Sequence, residues 1–107
     1  MCFVCGLENP AGLKAAFYEL ENGELAGVFR PGSQHQSYPG RLHGGLAATI
    51  LDETMGRVIN VGEKGGWGVT VDLQVRFRKP VPLEEEIRVV GRIVRKGGRS
   101  YEAEGRI

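Results

Sequence analysis

The stretch that most constrains the fold is Arg41 to Asn60, RLHGGLAATILDETMGRVIN. Leu46, Ala47, Ile50, Leu51, Thr54, Met55, Val58 and Ile59 recur at spacings of three and four, the period of a helix that buries a broad face. A helix this apolar cannot lie bare on a surface, so the remaining elements must pack around it. It carries His43 at its mouth, Gly44 and Gly45 behind that, and the acids Asp52 and Glu53 inside. Asp52 falls on the stripe of Gly45, Ala48, Met55, Gly56 and Ile59, among small or apolar neighbours. A carboxylate there costs free energy unless it is paired, hydrated or used, which makes Asp52 a candidate for chemistry. Glu53 reads as a solvated or interface acid.

Upstream of the helix, Gly6 to Gly12, GLENPAG, reads as loop. Leu13 to Glu21 and Glu24 to Arg30 read as two strands joined at Asn22-Gly23, a dipeptide suited to a type I′ turn because both positions tolerate positive φ. Pro31-Gly32 stops this hairpin, and Ser33 to Leu42 is a polar loop. The helix is expected to end near Val61-Gly62 and to be followed by a glycine-rich turn through Gly65-Gly66. Val69 to Arg78 alternates apolar and polar residues, which predicts a half-buried antiparallel strand. Glu84 to Arg95 reads as a further strand with a bulge or strong twist near Val90-Gly91. Lys96-Gly97-Gly98-Arg99 closes a second hairpin, and Ser100 to Ile107 starts back along it. The result is an α+β domain in which an antiparallel sheet wraps around one helix.

The chain of 107 residues is the size of a single domain, 1–107, with one core. Its formal net charge of +1 gives no overall pull toward nucleic acid or membrane, and neither is expected as a partner. No secretory apolar region and no membrane-spanning run stand out, so a soluble, cytoplasmic protein is the default. Cys2 and Cys5 form one CxxC, and zinc ordinarily takes two ligands more. A Cys2/Cys5/His35/His43 site is conceivable, but reduced thiols in an ordered N-terminal turn are the simpler reading, and no metal is assigned.

HGG at His43 to Gly45, the acid nine positions on at Asp52 within LDET, the segment VTVDLQVRFRKPVPL from Val69 to Leu83, and the N-terminal CFVCG with NPAGL together resemble the hotdog-fold acyl-CoA thioesterases, in the branch of the phenylacetyl-CoA-type and human-type enzymes. The resemblance covers nearly the whole chain. It implies a hotdog fold, with the sheet wrapped around the central helix, and thioester hydrolysis without a cofactor, coenzyme A being part of the substrate. It implies Asp52 as general base or nucleophile, the Gly44 N–H as polariser of the thioester carbonyl, His43 as a helper in orienting the loop or the carbonyl, and Thr70 as holder of the attacking water. Gly45 would lie against the substrate. Several relatives carry an Asn six residues before the HGG histidine, where this chain has Ser37 preceded by Gln36, and either could make that polar contact with the substrate. In the family a further strand follows the segment ending at Ile107, so a truncated C-terminus is expected.

The chemistry supports this on its own ground. Hydrolysis needs a base for water and a donor for the developing oxyanion. A helix N-terminus flanked by glycines supplies open N–H groups and partial positive charge. Asp52 lies roughly 13 Å further along the same axis, at ~1.5 Å rise per residue. One helix cannot present both to one carbon, whereas two antiparallel helices in a dimer can, and the resemblance implies such shared sites in a homodimer or homotetramer. The basic residues Arg76, Arg78 and Lys79 read as a solvated face or as contacts for coenzyme A phosphates. Phe17, Phe29, Trp67 and Phe77 are candidates to line the acyl pocket or fill the core. Two other readings compete: a hydratase or dehydratase on acyl thioesters, and a non-catalytic acyl-CoA binder.

Overall fold

The helix forms where its period places it. In the computed structural model, which describes residues 2–60, 69–97 and 100–107, α1 spans Gly44–Arg57 and runs on into a 3-10 turn at Val58–Asn60. Ala47, Ile50, Thr54 and Val58 make its buried stripe at spacings of three and four, and Ile50 and Thr54 have no exposed surface. Burying Ile50 alone is worth roughly 1.5–3 kcal/mol. The opposite face, with Asp52 and Glu53, stays half-buried. The expected helix end at Val61-Gly62, the turn at Gly65-Gly66 and the aromatic Trp67 lie outside the described residues.

Four strands form one antiparallel sheet in the order β1 (Ala16–Glu19), β2 (Leu25–Phe29), β3 (Ile87–Lys96) and β4 (Tyr101–Arg106). Both hairpins are therefore present, and α1 lies across β2, β3 and β4. The first turn differs from the expected type I′. Gly23 has φ +87°, whereas Asn22 is not among the residues with positive φ. The Gly23 N–H donates to the Leu20 carbonyl at 3.1 Å and the Leu20 N–H to the Glu24 carbonyl at 2.8 Å. This is a type I turn closed by a left-handed glycine, and the Asn22 amide is spent holding Glu24 through its backbone N–H and its carboxylate. In the second hairpin Gly97 donates to the Ser100 carbonyl at 2.8 Å, and Gly98 and Arg99 lie outside the described residues.

The expected bulge moves from Val90-Gly91 to Val94, where the β3–β4 register shifts between Ile93 and Arg95. Gly91 instead sits in regular pairing with Leu25 and Gly105. Its lack of a side chain serves packing: a Cβ there would come 3.0 Å from Thr54 Cγ2 of α1. The helix rests on the sheet at that point.

Residues 69–78 are the main departure. They form no strand, and Val69 and Val71 are 80% and 92% exposed. Alternation assigns the two faces of a strand but supplies no neighbour, and a strand without ladder partners leaves its backbone groups to water. The chain from Gln36 to Leu83 is instead tied by single bridges, Gln36 to Leu42 and Arg41 to Pro82. The core gathers Val4, Leu13, Ala15, Phe29, Leu42, Ala47, Ile50, Ile87 and Val89 between helix, sheet and the N-terminal turn.

Two substitutions test this packing by urea denaturation. Gly91→Val should lower stability by about 1–3 kcal/mol because Thr54 has nowhere to go. Gly56→Ala, on an open helix position with nothing within 4 Å, should raise it by about 0.5–1 kcal/mol.

Candidate functional site

The mouth of α1 is built by two histidines. His43 is the N-cap, and its Nδ1 accepts the Gly45 N–H at 2.9 Å. In the neutral imidazole that bond assigns the ring proton to Nε2, on an exposed side chain. A Cβ at Gly45 would come 3.1 Å from that Nδ1, so a larger residue there would press the ring back by a few tenths of an ångström. With Gly45 occupied and the Leu46 and Ala47 N–H groups taken by the His43 carbonyl, the Gly44 N–H is left without an acceptor among the described residues. Of the two glycines at the helix mouth, Gly44 keeps its N–H open and Gly45 spends its own on the cap.

His35 is the residue whose role the sequence did not reveal. It is 3% exposed, with Nδ1 accepting the Gly32 N–H and Nε2 donating to the Ala11 carbonyl, both at 2.9 Å. Its own carbonyl accepts the His43 N–H at 2.8 Å. A buried imidazole with both nitrogens matched is a strut, and this one ties the N-terminal loop to the start of α1. Neither histidine meets the cysteines. The donor atoms that gather around Cys2 and Cys5 are those of Glu53.

A cleft of about 270 Å³ opens beside Gly44, lined among others by Ser37, Arg41, Ala47, Phe77, Arg78 and Lys79. Phe77 is 64% exposed and its ring would touch a Cβ at Gly44 at 3.3 Å. Of the two polar residues before the histidine, Ser37 lines this cleft. Gln36 turns its Oε1 to the Gly40 N–H at 3.4 Å. Arg41, Arg78 and Lys79 have no ion-pair partner among the described residues, so the cleft is cationic. Phe29 belongs to the core, and Phe17 packs beneath Arg57, whose guanidinium lies 4.5 Å above its ring. Arg76 does not line the cleft.

Asp52 and Thr70 meet at the other end of α1. Thr70 Oγ1 donates to Asp52 Oδ1 at 2.5 Å, so the two sequence candidates are neighbours although residues 69–78 form no strand. Tyr101 of β4 stands behind them. Its hydroxyl donates to the carbonyls of Met55 and Gly56, at 3.1 and 3.3 Å, capping the last turn of the helix. Burial and then the negative charge of Asp52 push the Tyr101 pKa above its ordinary value of 10.0. The named residues therefore fall into two groups, His43, Gly44, Gly45 and Ser37 at one end and Asp52 and Thr70 at the other, with Gln36 outside both. At ~1.5 Å per residue Asp52 lies roughly 12 Å along the helix from Gly44.

The thioesterase superfamily model matches residues 39–107, and the chain belongs to that family. The mouse acyl-coenzyme A thioesterase 13 is 36% identical over 64 residues, 60% of this chain and 46% of that protein. The mouse acyl-coenzyme A thioesterase THEM4 is 33% identical over 98 residues, 91% of this chain and 41% of that one. The chain thus spans about half the length of these curated relatives. Among solved structures, a thioesterase superfamily protein superposes with a TM-score of 0.85 at 30% identity, over 95% of this chain and 52% of its own. A hypothetical thioesterase from Streptococcus pneumoniae TIGR4, crystallised with coenzyme A, shares the fold with a TM-score of 0.66 at 19% identity, over 85% of this chain and 80% of its own. The hotdog fold expected from the sequence is therefore the one observed, a four-stranded antiparallel sheet against one long helix.

The Tyr101 hydroxyl gives a pH test. A tyrosine whose pKa is raised by folding holds its proton to higher pH than the unfolded chain does, so its contribution is complete below pH 10 and is lost as pH rises through 10 and beyond. Tyr101→Phe should cost about 1 kcal/mol at neutral pH, for the lost hydrogen bond, and should flatten the alkaline fall in stability measured by thermal melts.

Proposed function

We propose that this chain hydrolyses acyl-CoA thioesters to a free acid and coenzyme A. The observation that carries the reading is the hydrogen bond from Thr70 to Asp52, on the same helix whose first N–H is open beside a cationic cleft. The names of the curated relatives and the coenzyme A in the pneumococcal structure support it.

In this reading the enzyme is a cytoplasmic homodimer, further paired into a tetramer, in which the helices of two chains run antiparallel. The Gly44 end of one then faces the Asp52 end of the other. The thioester carbonyl oxygen accepts the Gly44 N–H, with Ser37 and His43 Nε2–H beside it, at the positive end of the helix dipole. The coenzyme A phosphates meet Arg41, Arg78 and Lys79, and Phe77 packs on the chain near the carbonyl. Thr70 holds a water against Asp52. As general base, Asp52 takes the water's proton while the oxygen adds to the carbonyl carbon. Collapse of the tetrahedral intermediate breaks the C–S bond and expels the thiolate, which is then protonated. As nucleophile, Asp52 would first form a mixed anhydride that water opens. Oxygen-18 from solvent enters the Asp52 carboxylate in a single turnover only by the second route. No cofactor takes part in either.

Thiol release from short, medium and aromatic acyl-CoAs tests the proposal. Asp52→Asn, confirmed folded, should lose at least ~100-fold in turnover. Thr70→Ala should lose about 10-fold, the worth of one hydrogen bond to a charged group. Wild type that binds these esters without releasing thiol would be an acyl-CoA binder, and one that alters only the absorbance of enoyl thioesters would be a hydratase. Either outcome would end the hydrolase reading.

A further inference from the structure

The thiols that the proposed hydrolysis leaves unused do not stand alone. Cys2 and Cys5 lie on a tight turn in which the Gly6 N–H donates to the Cys2 carbonyl at 2.9 Å and the Cys5 N–H points at Cys2 Sγ, 3.4 Å away. An N–H aimed at a sulfur favours its thiolate, and this contact is the main reason the Cys2 thiol titrates below its ordinary range. The Cys5 thiol is pushed up, chiefly by its side-chain contact with Cys2 and then by burial. The turn faces α1 at Glu53, and both sulfurs and a carboxylate oxygen of Glu53 lie within 4.8 Å of one another. Arg57, one turn on, donates through Nε to Glu53 Oε2 at 2.7 Å and through Nη2 to Cys5 Sγ at 2.9 Å.

We propose that Cys2, Cys5 and Glu53 form a site for a soft divalent cation of the zinc type, with water in the fourth position. Three features of the cluster fit that ligand. Two sulfurs and one oxygen converging from different parts of the chain are a donor set that zinc takes, and three protein ligands with one open position is a known zinc geometry. The Glu53 carboxylate brings an oxygen to the two sulfurs and is held in place by Arg57 Nε at its Oε2. Charge also balances: two thiolates and a carboxylate around a dication leave one negative charge, which Arg57 offsets from the surrounding shell, its N–H groups orienting both a sulfur and the carboxylate. Binding releases the thiol protons to solvent, so affinity rises with pH. Its structural effect is to pin the N-terminal turn to α1 at Glu53, the residue next to Asp52.

The site is independent of the thioester reading, because its test reads metal binding rather than activity. Reduced protein freed of metal by a chelator is titrated with Co²⁺ and then with Zn²⁺. The wild type should bind about one cobalt ion per chain, with thiolate-to-metal charge-transfer absorption and the visible bands of a tetrahedral site, and zinc should displace it. Cys2→Ser/Cys5→Ser should abolish the charge-transfer band. Glu53→Gln should keep the band and weaken binding by at least about 10-fold, since groups that only orient the ligands are already worth about 10- to 100-fold. A reduced wild type with no charge-transfer band, a band that survives in the double serine variant, or Glu53→Gln binding as tightly as wild type would each overturn the site. So would thiols that close into a disulfide in air while cobalt and zinc are present in excess.

Discussion

Where Gly91 leaves the sheet without a side chain, Thr54 of α1 fills the space, and the position of the helix follows from that contact. Thr54 is fully buried, and its hydroxyl is satisfied within the helix by the Ile50 carbonyl at 2.7 Å. It therefore brings no unpaired polar group to the interface. With Ala47, Ile50 and Val58 on the same stripe, the helix is seated along its length, and its rotation is fixed. That rotation decides the rest. It turns Asp52 away from the core into a half-buried position where Thr70 can reach it, and it leaves the first N–H of the helix at the edge of the cleft.

Each end of the seated helix is then finished by a group from elsewhere in the chain. At the start, His35 holds the His43 backbone while the His43 ring caps Gly45, so that among the described residues a single donor is left open. At the end, Tyr101 accepts none of the helix's charge but donates to its last carbonyls, and Arg57 places a cation in the last turn, where the dipole favours one. A rod pinned at both ends cannot bend its N-terminus toward its own third turn. The rise of roughly 12 Å along the helix from the open donor to Asp52 is consequently a fixed property of one chain. It is also why the proposed chemistry calls for a second helix.

What the sequence made legible follows from where the information lies. The helix was readable because its apolar period is local, and the two hairpins because glycine and asparagine mark their turns. Asp52 and Gly44 stood out as a carboxylate among small and apolar residues of the helix and a glycine at the helix mouth. The type of the turn at Asn22-Gly23 and the place of the bulge, at Val94 rather than Val90-Gly91, were not legible because each depends on one residue's partner: the Asn22 amide bonds to Glu24, and Gly91 is needed by Thr54 on another element. The structural use of His35 rests on Ala11, a carbonyl far away in sequence, and nothing in local pattern signals it. The same holds for Tyr101 on the helix end and for Arg57 on Cys5. The CxxC was visible, but its third neighbour was not, because Glu53 lies on a helix that only folding brings beside the thiols. Val69 to Arg78 shows the converse limit: a sound alternating pattern with no ladder to join.

The central claim, that the open Gly44 N–H and Asp52 serve one carbonyl from two chains, is tested most directly by subunit mixing. Gly44→Pro deletes that N–H at the first helical position, which proline tolerates, and His43 before it already has the extended backbone a following proline requires. Gly44→Pro and Asp52→Asn should each be inactive alone as folded homodimers. Unfolded and refolded together in equal amounts, they should recover about a quarter of wild-type thiol release, because half the dimers are mixed and each mixed dimer has one intact site. Mixed dimers that form but stay inactive, or a Gly44→Pro enzyme as active as wild type, would contradict it.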